Sequence, residues 1–146
     1  MRPSVRHLSL VVLLLAAACG GMAPPSSRVG GHLAPCPPTP HCVSTDASEP
    51  DGRRMATILF AGTPAAAYQR ILAAVLAEPR AYVVVDSAPY LRFAVPTRVF
   101  RFVDDVELLV DSVAHRIEFR SSARLGVNDF GVNRARMERV GVRLRR

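Results

Sequence analysis

The segment from Phe100 to Asp111, FRFVDDVELLVD, sets two adjacent carboxylates inside an alternating apolar run, and it offers the clearest opening for chemistry in the chain. Phe100, Phe102, Val106, Leu108 and Val110 share one parity, and Asp104 falls on it. A strand without a bulge therefore aims Asp104 at the core, where an unpaired carboxylate is heavily penalised. The nearest cations and donors in sequence are Arg120, Arg124, Asn133, Arg134 and Arg136. Two readings compete. In the first, Asp104 and Asp105 serve structural ion pairs, and Asp104 locks a final helix onto the sheet. In the second, Arg120, Arg124, Asn133, Arg134 and Arg136 line a site for an anion near a helix N-terminus. The first is favoured, because a buried ion pair is the commoner origin of such a pattern.

Catalytic arrangements find less support. Successive strand residues point to opposite faces, so Asp104 and Asp105 diverge and cannot act as a paired acid and base. His115 falls near an expected hairpin turn and reads as solvated. Ser121 and Ser122 lack the glycine-flanked elbow that exposes a nucleophile. A hydrolase that uses Asp104 stays as the alternative. No triad, phosphate loop or cofactor motif is visible, and no cofactor is expected.

Strands and helices must position these groups. YVVVDS, YLRFAV, FRFVDDVELLVD and HRIEFRSS read as antiparallel strands, and a short β-like run covers 56–61. In YLRFAV, Leu91, Phe93 and Val95 face the core while Tyr90, Arg92 and Ala94 face water. Thr63 and Pro64 open a helix whose stripe is Tyr68, Ile71, Leu72, Val75 and Leu76, stopped by Pro79. Asn128 or Asp129 caps a last helix that turns Met137 and Val140 inward. The expectation is an α+β fold, an antiparallel sheet of about four to five strands with two helices packed on one face.

Ahead of this body, Arg2 and Arg6 precede the eleven-residue run 8–18, which ends in small residues directly before Cys19. As a helix that run rises only about 16 Å against a hydrocarbon core of ~30 Å, too short to span a bilayer. It reads as a signal peptide over 1–18. LLLAAACGG resembles a bacterial lipoprotein signal, which implies lipid on Cys19, although Ala16 stands where Leu is favoured. Gly20 takes the place where Asp retains such proteins in an inner membrane, so the outer membrane or periplasm is favoured in a cell with two membranes. Residues 19–34, rich in Gly, Pro and Ser, read as a flexible tether, and 35–146 as a single domain.

Cys36 and Cys42 enclose PPTPH, and in an oxidising compartment they form a small disulfide loop that adds no more than about 2 kcal/mol. Metal binding by Cys36, Cys42 and His41 is a poor alternative without a second ligand pair, and the five-residue gap argues against a redox dithiol. All nineteen basic residues are Arg, which we attribute to coding bias. Six of them lie from Arg134 to Arg146, so the basic excess is local and reads as a solvated helix end. Without Trp and with few aromatics, no nucleic-acid platform is expected.

Three motifs, PCPPTPHCVST, FRFVDDVE and RSSARLGVNDFGVNRARME, resemble the family called domain of unknown function 1499, over about residues 35–140. That family usually reads R-S-A-S-R-x-G in the last motif, whereas Ser122 and Ala123 stand here in exchanged order, and His41 stands where Asn is frequent. The resemblance implies an exported or lumenal protein and carries no established activity. Together these readings give a membrane-tethered envelope domain in a binding or accessory role, whose partners are the membrane through Cys19 and an anionic ligand or envelope protein.

Overall fold

The computed structural model describes residues 28–126 and 128–146. The expected signal peptide, Cys19 and the tether up to residue 27 lie outside the described residues. The alternating runs become strands close to where their patterns place them: β5 (Tyr82–Ser87), β6 (Tyr90–Pro96), β7 (Val103–Asp111) and β8 (Arg116–Ala123). Each pairs antiparallel with the next, so hairpin follows hairpin.

Before them come β1 (Arg28–Val29), β2 (His32–Leu33), β3 (Cys42–Ser44) and β4 (Ile58–Leu59). The main sheet has six strands in the order β3-β8-β7-β6-β5, with β4 also on β8. This corrects the expected four to five. The outer edge of β8 is divided: β3 covers Arg120 to Ser122, and β4 covers Arg116 and Ile117. A three-residue strand is too short to show alternation, so β3, which starts at the second cysteine of the loop, was hidden.

Helix α1 (Pro64–Leu76) starts as its sequence demands, with Thr63 Oγ1 accepting from the Ala66 N–H at 3.1 Å. Ala67, Tyr68, Ile71, Ala74 and Val75 are buried, whereas Leu76, expected inside, is exposed. Helix α2 (Val132–Leu144) begins after Gly131, whose φ of 77° suits glycine. Asp129 caps it from two residues earlier, accepting from the Gly131 and Asn133 N–H groups at 3.1 and 2.9 Å. The helices do not form the expected paired layer centred on one sheet face. Helix α1 packs on β7, and α2 packs on β8 and the edge strand β3. A core of Ile71, Val75, Leu91, Phe93, Val106, Leu108, Phe119, Met137 and Val140 unites these elements. No described helix is long and apolar enough to cross a membrane.

The other sheet face is not wet. Tyr90, Arg92 and Ala94, expected to meet water, are buried. The β1–β2 hairpin, in a stretch that composition assigns to the tether, supplies part of the cover. Its turn is Gly30-Gly31, with φ of 58° and 87°, the signs a tight two-residue hairpin needs. Leu33 packs with Tyr90 and Leu109, and the Arg28 guanidinium lies 4.7 Å from the Tyr90 ring centroid. Glycines that look like spacer are here the turn residues of a strand pair.

Phe100 and Phe102 depart furthest from expectation. They are 74% and 50% exposed, because β7 starts only at Val103 and 97–102 form a turn with Arg101 at φ 54°. The apolar parity of this segment runs past the end of the strand.

Glu78, just beyond α1, is buried and accepts from Arg139 Nη2 at 2.9 Å and from Arg143 Nη1, tying the two helices together. Burial pushes its pKa up, but hydrogen bonds and charge from Arg139 and Arg143 outweigh this and hold it below the ordinary value. Such a carboxylate contributes stability present above its ordinary pKa and lost as pH falls through the lower native one. Glu78→Gln should therefore cost about 1–2 kcal/mol at neutral pH, with a deficit that narrows on acidification, read by urea unfolding at several pH values.

Candidate functional site

Strand β7 carries both central acids. Asp104 lies opposite Val95 and Ala123, and Asp105 opposite Ala94 and Ser122. Because neighbours on a strand alternate, the two carboxylates leave by opposite faces and build separate networks. Both are nearly closed to solvent, at 3% and 4% exposed.

On the core face, Arg136 of α2 donates from Nη2 to Asp104 Oδ2 at 2.6 Å and from Nη1 to Asn133 Oδ1 at 2.7 Å. Ser121 Oγ donates to the same Asn133 oxygen at 2.5 Å and accepts from Arg136 Nη1 at 3.4 Å. Asn133 Nδ2 donates to Asp129 Oδ2 at 2.8 Å and to the His41 carbonyl at 3.3 Å. One chain of contacts thus links β7, β8, the cap of α2 and the cysteine loop. Burial raises the Asp104 pKa; Arg136 opposes that rise, and Asp129 and Asp105 add to it.

On the far face, Arg124 grips Asp105 with two bonds, Nε to Oδ2 at 2.7 Å and Nη2 to Oδ1 at 2.9 Å. Arg92 Nη2 lies 3.0 Å from Asp105 Oδ1. The hydrogen bond to Asp105 holds the Arg124 pKa above its ordinary value. One row over, Glu107 accepts from Tyr90 Oη at 2.5 Å and from Arg120 Nη1 at 3.0 Å. Arg92, Glu107 and Arg120 stand in cross-strand register on β6, β7 and β8.

The five residues expected to line one anion site are therefore divided. Arg136 and Asn133 belong to the core-face network, and Arg120 and Arg124 to the far one. Arg134 reaches neither: its Nη2 donates to the Gly52 and Arg54 carbonyls at 2.9 and 3.3 Å. Of the candidates, Arg136 is the cation on Asp104, while Arg92 and Glu107 were missed as members of the far network. The alternation of Ile117 and Phe119 with Glu118 and Arg120 was the signal that puts Arg120 on the far face.

The cysteine loop closes as expected, with a Cys36–Cys42 disulfide and a Cα–Cα distance of 5.7 Å. His41 beside it was missed as a neighbour of Ser122, with 3.4 Å between Nδ1 and Oγ. Its other nitrogen meets the Thr39 hydroxyl at 2.6 Å, not a carboxylate, and both His41 and Ser122 are buried. This pair lacks the acid and the access of a nucleophilic dyad. His115 is exposed beside Phe60. Among the described residues no cluster of three or more His, Cys, Asp or Glu could hold a metal ion. A cleft of about 280 Å³, with His32, Ser44, Asp46, Thr57, Arg116 and Glu118 in its walls, includes neither Asp104 nor Asp105.

A family model described as Protein of unknown function (DUF1499) matches residues 32–144, nearly the whole folded body. No curated protein and no solved structure matches the chain.

Arg136→Leu leaves the Asp104 carboxylate buried and uncompensated, which should cost about 3–5 kcal/mol, and Asp104→Leu in the same chain should restore most of that loss. A carboxyl with a raised native pKa protonates first in the folded state, so stability falls as pH rises through the interval between its ordinary and raised values. Loss of Arg136 moves the upper end of that interval upward. The Arg136→Leu deficit should accordingly shrink as pH is lowered in urea unfolding series.

Proposed function

We propose that this chain, which belongs to the DUF1499 family of proteins of unknown function, is a membrane-tethered, non-catalytic domain of the cell envelope with a binding or accessory role. The observation that carries the non-catalytic reading is the state of the central acids. Asp104, Asp105 and Glu107 are all buried, and each is held by arginine. A general acid or base must reach substrate, and a carboxylate engaged by an internal guanidinium does not. The hydrolase alternative through Asp104 is set aside on that ground.

Tethering draws its support from the leader: Arg2 and Arg6, the run 8–18, the small residues, and Cys19. An anion or partner contact draws on the local basic excess of the chain. With Arg120, Arg124 and Arg136 spent on internal acids, such a contact falls to arginines on the surface, with Arg134 the member of the original set nearest to it. Outer-membrane or periplasmic residence follows from Gly20 after Cys19 where the cell has two membranes.

Metabolic labelling with a fatty-acid precursor tests the tether in a bacterium with two membranes that expresses the full chain. The wild-type chain should take up label and stay with membranes through a high-salt wash, and Cys19→Ser should lose the label and be released by that wash while the protein stays folded. An unlabelled wild-type chain in the soluble fraction would refute the tether.

A further inference from the structure

The turn between β6 and β7 reads Thr97-Arg98-Val99-Phe100-Arg101-Phe102 and contains no acid. Val99 is 76% exposed, Phe100 74% and Phe102 50%. A soluble fold has no reason of its own to display three large apolar side chains at one tip. The turn is nonetheless ordered: the Thr97 N–H donates to the Phe102 carbonyl at 2.7 Å, and the Phe100 and Phe102 rings stack with centroids 5.7 Å apart. Arg98 and Arg101 alternate with these residues, both exposed and without an ion pair among the described residues. At the base of the turn, exposed Arg80 donates from Nε to the Pro96 carbonyl at 2.9 Å. Exposed Leu125 follows Arg124, whose N–H donates to the Val103 carbonyl at 3.0 Å, so it lies at the same end of the sheet.

We propose that this tip is a membrane-contact element, which seats Phe100 and Phe102 in the interface of an anionic bilayer and places Arg98 and Arg101 on headgroup phosphates. The tip is the connection beyond the ends of β6 and β7, and its two cations without an acid complement an anionic surface. Its chemistry is that of a lipid boundary, with aromatic rings that gain by leaving water and guanidinium groups that reach phosphate from apolar stems. Each arginine next to an anionic surface multiplies partitioning by roughly fivefold. The inference is independent of lipid on Cys19, because the contact is made by the folded body itself.

The chain has no Trp, so a single one reports on its own position. The full chain with Cys19→Ser and Phe100→Trp is mixed with vesicles of phosphatidylglycerol and phosphatidylcholine, or of phosphatidylcholine alone. Phe102→Trp serves as a second reporter should the first disturb the turn. Val113→Trp, in the β7–β8 turn at the far end of β7, is the control, roughly 30 Å away along the strand.

The tip reporters should shift to the blue on anionic vesicles only, and Val113→Trp should not move. Arg98→Ala with Arg101→Ala should weaken partitioning at least roughly tenfold. No shift at either tip position would overturn the proposal. So would an equal shift at Val113→Trp, an equal shift on neutral vesicles, or a shift that grows with protein concentration in the absence of lipid, which marks self-association. Loss of the label and of salt-resistant membrane association in Cys19→Ser cells, with the tip response of that chain intact on vesicles, would support the lipid tether and this proposal separately.

Discussion

Two neighbouring aspartates on one strand cannot share a face, and in this protein neither face is open to water. Asp104 enters the core side and Asp105 the opposite side, so β7 is charged in both directions and each charge needs its own cation. The two solutions differ. On the core side the cation arrives from α2, far away in sequence, and fixes that helix to the sheet. On the other side it comes from β6 and from the end of β8, which fixes strand to strand. Removing Arg136 strands a buried carboxylate, a far larger effect than the net contribution of an intact pair, whereas Asp105 keeps one arginine when the other is lost.

The same constraint shapes what the molecule can do. Guanidinium groups are strong ligands for carboxylates and phosphates, but here Arg92, Arg120, Arg124 and Arg136 are engaged by the protein's own acids. Asn133 and Ser121 are engaged too, and they pass the Asp104 contact on to the cysteine loop through the His41 carbonyl. The disulfide then ties down one end of the same assembly. Asp104 and Arg136 lie in this interior, and both fall inside the stretch that the family model matches. The exposed turn that carries Phe100 and Phe102 breaks the usual rule for a surface, and in the proposed reading recognition falls to it.

Much of this was legible in the residues. The four long strands, the Thr63-Pro64 helix start and the inward direction of Asp104 all follow from period and capping chemistry, which are local. The choice of Arg136 among five candidates was not legible. It depends on how α2 lies over β8, a tertiary fact that no spacing encodes. The burial of Tyr90 and Arg92 was hidden for a related reason. Polar residues on a strand read as solvent-facing unless the element that covers them is known, and the cover here includes a pair of two-residue strands joined by Gly30-Gly31. Phe100 and Phe102 misled in the opposite direction, since alternation alone does not reveal where a strand stops.

Hydrogen exchange of arginine guanidinium protons, followed by nitrogen-15 NMR, tests the central claim most directly, because it reports on each cation in place without a mutation. The account predicts slow exchange for Arg136 and Arg124, against rapid exchange for the exposed Arg98. Exchange at Arg136 as fast as at Arg98 would show that Asp104 does not hold an internal cation, and would contradict the account at its base.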